Sequence, residues 1–174
     1  MDVSCIKYPT EQDWFACKER ALVTVGLKPK VEPTFEWKCA ILEARHSPIR
    51  YLQFSFFLKD IPYFVSDHLC RHVHAQPYVQ SQRNDRQDKY DRNTAPQNYP
   101  VNMIWDMNAE ELMVIANKRL CNKASEETRF VVNKMCQQVI KTNPEFKEFL
   151  VPACKYYGKC KEMISCKNLN LDAR

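Results

Sequence analysis

Glycine is the residue whose scarcity most limits this chain, because only Gly26 and Gly158 occur among its 174 residues. Folds that hold phosphates with backbone amides need several glycines in one loop, as in the dinucleotide-binding and P-loop motifs. Neither motif can be written anywhere in this sequence. If the protein binds a phosphorylated ligand, side chains must hold the phosphate, and the planar guanidinium of arginine suits that role best.

Length and charge narrow the class of protein. A chain of 174 residues with 45% hydrophobic content predicts one compact domain with a substantial core. Its net charge of +5 is spread along the chain, which is too mild for tracking a nucleic acid but allows small anionic ligands. No apolar run approaches the roughly 20 residues of a membrane span, and the first residues lack a signal-peptide pattern. We therefore expect a soluble cytoplasmic protein that binds neither nucleic acid nor membrane.

The nine cysteines are scattered from Cys5 to Cys166. In a protein expected inside the cell they predict reduced thiols, most of them small buried hydrophobic residues. The tail spacing of Cys154, Cys160 and Cys166 matches no common zinc pattern, so we expect no metal. A zinc-stabilised cysteine protein is the alternative, and it would contain stoichiometric metal.

Apolar periodicity predicts a mixed order of strands and helices. Alternation predicts strands, and spacings of three and four residues between helix breakers predict helices. The expected strands are 3–8, 51–59 and 101–107, and the expected helices are 10–26, 34–45, 61–76, one capped by Asn108, one beginning near Ser125, and a last piece at 144–154. This order predicts an α+β fold.

Three polar residues on apolar helix faces need an explanation. His68 and His72 lie one turn apart, and they are either a metal pair or core histidines with satisfied hydrogen bonds. Arg119 shares an apolar face with Leu112 and Ile115, so its guanidinium must reach water, pair, or point into a pocket. No Ser/His/Asp or Cys/His order that would predict a nucleophile can be recognised.

The segment from Arg71 to Arg83 carries a family resemblance. "RHV" followed by seven residues and "SQR" resembles the RHRx7S signature of ThyX, the flavin-dependent thymidylate synthases. Four further segments are similar to stretches of the same family, and together they cover most of residues 45–166. They are "HSPIRYLQFSF", "APQNYPVNMIWDMNAEELMVIANKRL", "KASEETR" and "GKCKEMISC".

The resemblance implies a fold and a reaction. It implies a single ThyX-like domain over 1–174, with a central antiparallel or mixed sheet flanked by helices and a shortened polar connection at 84–98. In this family FAD takes hydride from NADPH, methylenetetrahydrofolate supplies one carbon, and dUMP becomes dTMP without a cysteine nucleophile. We also expect that the reaction could be a related one-carbon transfer, the hydroxymethylation of a pyrimidine deoxynucleotide. The family also implies a homotetramer with sites between subunits, and the short length suggests a virus-encoded protein acting in the host cytoplasm.

Site residues follow from the resemblance position by position. Arg119 matches the catalytic arginine that contacts the pyrimidine and favours its ionised form. The positions expected to bind dUMP are His68, Arg71, Ser81, Gln82, Arg83, Arg92 and Arg119. The positions expected to bind FAD are Ser47, Arg71, His72, Asn108 and Ala109.

Several positions depart from the family pattern. Val73 and Glu110 replace two arginines near the flavin, and Val114 stands where the family often has a polar flavin contact. Further replacements are Tyr51 for a histidine, His68 for a glutamine and Val79 for an acidic residue. Val73 and Glu110 favour a second hypothesis, a pyrimidine-nucleotide-binding protein that keeps the ThyX fold but has lost flavin chemistry.

Overall fold

The computed structural model describes residues 1–86 and 90–166. In chain order its elements are β1 (Asp2–Lys7), α1 (Glu11–Val23), α2 (Phe35–Glu43), β2 (Gln53–Pro62), α3 (Tyr63–Cys70), β3 (Gln76–Val79), β4 (Pro100–Asn108), α4 (Ala109–Arg119), α5 (Glu126–Thr142) and α6 (Ala153–Tyr156). Short 3-10 helices lie at Ser47–Tyr51, Asn84–Arg86 and Pro144–Phe146. No helix within these described residues is long and apolar enough to cross a membrane.

The four strands form one antiparallel sheet in the order β1-β2-β4-β3. Along β4, buried residues alternate with more exposed ones, as a sheet with one covered face requires. Phe56 on β2 pairs with Trp105 on β4, so two large aromatic side chains enter the core side by side. The sheet and its covering helices confirm the predicted α+β class.

The core lies between the sheet and the helices α3, α4 and α5, which contact it. Its largest fully buried side chains include Trp14, Trp105, Phe54, Phe56 and Phe146. The ring of Phe146 meets that of Phe54 edge-to-face at 5.4 Å. Full burial of one such side chain stabilises the fold by about 1.5–3 kcal/mol, so this aromatic cluster fixes how the helices lie on the sheet.

Helix starts follow the local sequence closely. The hydroxyl of Thr10 accepts from the Asp13 amide, and the Asp13 carboxylate accepts from the Thr10 amide, which completes a capping box for α1. Asn108 caps α4 and Ser125 caps α5, each by accepting a hydrogen bond from the backbone amide three residues later. These caps confirm the predicted helix starts.

The helix predicted over 61–76 is wrong at both ends. Ile61 belongs to β2, the helix itself is Tyr63–Cys70, and His72 lies beyond the cap at Arg71. The residues Gln76–Val79 form an edge strand on β4 instead of helix. Pro77 fits there because an edge strand tolerates a missing N–H.

The last helical piece predicted over 144–154 is also divided. A 3-10 turn at Pro144–Phe146 and the short helix α6 replace it. Pro152 caps α6, and a proline at this point cannot continue a preceding helix.

All nine cysteines are free thiols, but few are in the core. Cys17 and Cys136 are buried, as expected. Cys70, Cys154 and Cys160 are exposed, so the expectation that most cysteines are buried is wrong. Within residues 1–86 and 90–166, no three His, Cys, Asp or Glu side chains are grouped to hold a metal ion.

Candidate functional site

The junction between β4 and α4 positions the centre of the site. Asn108 ends the strand and caps the helix, where its Oδ1 accepts from the Glu111 amide at 2.9 Å. The Ala109 amide donates to the Leu52 carbonyl at 2.9 Å, which ties the helix start to the chain entering β2. Because no loop separates the strand from the helix, the sheet sets the direction in which α4 presents Glu111 and Arg119.

Arg119 is held by the turn that follows α3. Its Nη2 donates to the His68 carbonyl at 2.6 Å, and its Nε donates to His72 Nε2 at 3.0 Å. Burial lowers the pKa of Arg119, and the nearby charge of Arg71 lowers it further. Within the described part of the chain, Nη1 of Arg119 has no hydrogen-bond partner. The guanidinium is therefore fixed on one edge and has a donor left for a ligand.

His72 lies between two charged side chains of α4. Its Nδ1 is 3.2 Å from Glu111 Oε1, and both side chains are buried. The Nε of an arginine always carries a hydrogen, so His72 Nε2 must be the acceptor in its bond with Arg119. The hydrogen of the neutral ring then lies on Nδ1 and points to Glu111.

His68 has a separate set of partners. Its Nδ1 is 3.2 Å from the hydroxyl of Thr128, which also accepts from Ser125 at 2.8 Å. The Phe64 ring meets the His68 ring edge-on at 5.7 Å. Since His68 and His72 bond to different groups, they are satisfied histidines, the second of the two alternatives that the sequence left open.

A small cavity adjoins Arg119, with a volume of about 300 Å³. It is lined by His72, Lys118, Arg119, Cys121, Lys123, Ala124 and Glu162. Glu162 lies 3.8 Å from each of the two lysines, so three cations face one carboxylate. Such an excess of positive charge attracts an anionic ligand. Sequence reasoning missed Lys118 and Lys123, because neither lies on the apolar face that drew attention to Arg119.

The remaining nucleotide-binding candidates lie on and after β3. Ser81 and Gln82 are half-buried, and Arg83 is exposed. The Arg83 guanidinium forms a two-pronged ion pair with Asp85, at 2.8 Å from Nε to Oδ1 and 2.6 Å from Nη2 to Oδ2. Asn84 Oδ1 accepts from the Arg92 amide at 3.0 Å, which folds this connection back on itself.

The structure thus divides the dUMP candidates into two groups. His68, Arg71 and Arg119 lie close together around the turn after α3. Ser81, Gln82, Arg83 and Arg92 lie along the connection after β3. No hydrogen bond or ion pair joins Arg83 or Arg92 to Arg119 within residues 1–86 and 90–166.

The residues expected to bind FAD do not all line one cavity. Asn108 lines a cavity of about 410 Å³ together with Arg50, His74, Glu110, Glu111 and Val114. Ala109 is fully buried and Ser47 is exposed at the start of a 3-10 helix, and neither lines this cavity. Both ring nitrogens of His72 are committed within the protein.

Glu110 does not leave an unbalanced negative charge in this cavity. Its Oε2 lies 2.5 Å from Nε of Arg50, at the end of the 3-10 helix before β2. Arg50 therefore balances the negative charge of Glu110, a pairing that the separate sequence motifs did not reveal.

Comparison with known proteins gives one sequence match and several structural matches. The model of the family described as "Thymidylate synthase complementing protein" matches residues 89–145. A search of curated proteins found no significant match.

Three solved structures share the fold at 16% sequence identity. A UMP/dUMP methylase, PolB from Streptomyces cacaoi bound with 5-Br dUMP, superposes with a TM-score of 0.67 over 86% of this chain and 96% of that one. Two structures of ThyX from Helicobacter pylori, both with FAD and dUMP, give TM-scores of 0.62 and 0.63. They cover 79% and 90% of this chain, and 92% and 97% of theirs.

At this identity the structural matches establish the fold, and the sequence match adds the family pattern in β4, α4 and α5. Together they confirm the predicted resemblance: this chain has the ThyX fold and carries the ThyX family's sequence pattern over residues 89–145.

Proposed function

We propose that this protein is a ThyX-type enzyme that transfers one carbon to a pyrimidine deoxynucleotide, with dUMP converted to dTMP as the first candidate reaction. The observation that carries the proposal is the setting of Arg119, which is half-buried, held by His68 and His72, and adjacent to a cavity with Lys118 and Lys123. A guanidinium in this setting binds a pyrimidine oxygen and stabilises negative charge on the ring. The solved relatives that bind dUMP or its 5-bromo analogue support this choice of ligand.

We propose that side chains bind the phosphate of the nucleotide. With only two glycines in the chain, no glycine-rich loop is present to hold it. Arg71, Ser81, Gln82, Arg83 and Arg92 are the proposed phosphate and sugar contacts, and His68 completes the nucleotide site. These residues form two groups in one chain, and we propose that the two groups meet on one ligand between subunits of a homotetramer.

The larger cavity, which Asn108 lines, supplies polar groups that fit a flavin. Nδ2 of Asn108 has no hydrogen-bond partner within the described residues, and Arg50 and His74 line the same space. We assign Ser47, Arg71, Asn108 and Ala109 as FAD contacts, with His72 contributing the face of its ring, since its nitrogens are occupied. When bound, FAD would supply the reducing equivalents of the reaction, with NADPH and methylenetetrahydrofolate as the proposed co-substrates.

A second candidate function is nucleotide binding without flavin chemistry. The observation that favours it is Val73, which stands in place of a family arginine and is 81% exposed. It offers no charge and no hydrogen bond to a flavin. The Arg119 site is the same in both hypotheses.

The absorption spectrum of the purified protein incubated with FAD separates the two functions. A bound flavin that NADPH bleaches in the absence of oxygen supports the enzyme. Colourless protein at saturating FAD, with dUMP still bound, establishes the second function instead.

Calorimetry with dUMP tests the shared nucleotide site. Removing one charge-assisted hydrogen bond costs about 1.5–3 kcal/mol, so Arg119→Ala is expected to weaken binding by about tenfold or more. Lys141→Ala removes an exposed charge from the last turn of α5 and is the control. Unchanged affinity in Arg119→Ala would refute the site.

A further inference from the structure

A buried chain of hydrogen bonds joins the two cavities described above. Glu111 lines the larger cavity, whereas His72 and Arg119 line the smaller one. The links are Glu111 Oε1 to His72 Nδ1 at 3.2 Å and His72 Nε2 to Arg119 Nε at 3.0 Å. Glu111 is only 6% exposed, and it is not among the positions that the family resemblance assigns to a ligand.

The three side chains permit one arrangement of hydrogens. Arg119 must donate from Nε, so His72 must accept at Nε2 and carry its hydrogen on Nδ1. In the other tautomer two N–H groups would face each other and the His72–Arg119 bond would be lost. Glu111 favours the Nδ1-protonated tautomer, because its carboxylate accepts from Nδ1.

The position of Glu111 in the helix makes a buried carboxylate tolerable. It lies in the first turn of α4, where the partial positive charge of the helix end stabilises an anion. The His72 ring is also fixed from the other side by Trp105, whose ring lies edge-on at 6.1 Å. Packing thus sets where the imidazole lies, and Glu111 sets which nitrogen carries the hydrogen.

We infer that Glu111 is a positioning residue for Arg119 and acts through His72. By holding the hydrogen on Nδ1 it keeps Nε2 as an acceptor, which fixes the guanidinium at Nε while Nη2 bonds to the His68 carbonyl. The unpartnered Nη1 then has a defined direction in which to meet a ligand. That last step rests on the proposed nucleotide site, whereas the effect on His72 and Arg119 does not.

NMR of the ligand-free protein tests the inference directly. The chain has four histidines, so single replacements assign the His72 ring signals. Wild-type protein is expected to show the Nδ1-protonated tautomer and a slowly exchanging Arg119 Nε–H. In Glu111→Gln the side-chain carbonyl still accepts, and both signals should persist. In Glu111→Leu the ring should leave the Nδ1-protonated form, and the Arg119 signal should exchange faster.

Titration of the same variants with dUMP adds the functional readout. Glu111→Leu is expected to weaken binding by about tenfold, and Glu111→Gln to change it little. Glu126→Leu is the matched control, because Glu126 is an exposed glutamate in the first turn of α5. If Glu111→Leu does not fold by circular dichroism, Glu111→Met replaces it.

Two outcomes overturn the inference. One is an Nε2-protonated His72 in the wild type, and the other is a Glu111→Leu protein whose His72 tautomer and Arg119 exchange are unchanged. If the NMR signals respond but the wild type does not bind dUMP, the proposed function fails while the positioning of Arg119 by Glu111 stands.

Discussion

Arg50 and Glu110 form an ion pair with 2.5 Å between Nε and Oε2, and it links the 3-10 helix before β2 to the start of α4. The hydrogen bond and the charge of Glu110 raise the pKa of Arg50. Arg50 therefore balances the negative charge of Glu110 at this edge of the larger cavity.

The effects of charge reversal at this pair on stability are expected to be non-additive. Arg50→Glu and Glu110→Arg should each place like charges together and slightly lower the free energy of unfolding. The double variant should recover most of the loss, because the pair is restored. Urea unfolding of all four proteins gives the coupling energy, and a double variant as unstable as the sum of the singles would contradict a direct interaction between Arg50 and Glu110.

Asp85 forms an ion pair with the guanidinium of Arg83, which is proposed to hold the nucleotide phosphate. Both prongs of Arg83 are paired with it, so a phosphate must displace a carboxylate first. Asp85→Asn is expected to raise the affinity for dUMP about two- to fivefold, the range of an exposed ion pair. Calorimetry measures this change.

The matched control for Asp85→Asn is Asp60→Asn, which removes an equal charge at the exposed bulge of β2, where φ is 52° and asparagine is well tolerated. Equal or weaker binding by Asp85→Asn would show that Arg83 does not contact the phosphate.

The capping box of α1 should make part of the stability depend on pH. Hydrogen bonds from the Thr10 amide and hydroxyl lower the pKa of Asp13. A carboxyl whose pKa is lower in the folded state stabilises the fold above its unfolded pKa, and that contribution is lost as the pH falls through the folded value. Because Thr10→Ala removes the side chain of this cap, we expect it to lower the free energy of unfolding by about 1 kcal/mol at neutral pH.

The difference between Thr10→Ala and wild type should shrink as the pH falls below 3.8, the ordinary pKa of an aspartate, because Asp13 then becomes protonated and no longer accepts from the Thr10 hydroxyl as an anion. Urea midpoints at neutral and at acidic pH test this expectation. A cost that is constant with pH would show that the Thr10 hydroxyl does not stabilise the ionised Asp13 carboxylate.

Thiol reactivity should separate the buried cysteines from the exposed ones. Burial raises the pKa of Cys17 and of Cys136 to about 12, so both remain protonated thiols in mildly alkaline solution. In native protein, iodoacetamide should modify Cys154 and Cys160 first, and Cys136 only on unfolding. Mass spectrometry of peptides over time gives the order, and labelling of Cys136 at the rate of Cys154 would contradict the packing of α5.

Features that depend on neighbouring residues could be predicted from the sequence. The alternation of β4 and the caps at Thr10, Asn108 and Ser125 each need only a few adjacent residues. The strand Gln76–Val79 was missed because it is short, contains Pro77, and exists only through its pairing with β4.

The candidate site was predictable in its residue types but not in its pairings. Arg119 drew attention because a charge on an apolar face needs a partner, yet nothing local identified that partner as His72. Glu111 gave no signal at all, since a glutamate three residues after Asn108 is ordinary for a helix start. Arg50 and Glu110 are 60 residues apart, and only the fold brings them together.

The direct passage from β4 into α4 has a consequence for how this chain can vary. An α-helix turns by about 100° per residue, so one residue inserted at Asn108 would swing Glu111 and Arg119 together away from His72. The polar connection between β3 and β4 is not bound by such a helical repeat, since most of its described residues are exposed and lie outside strands and α-helices. Changes in length between relatives should therefore collect in that connection and be absent at the junction.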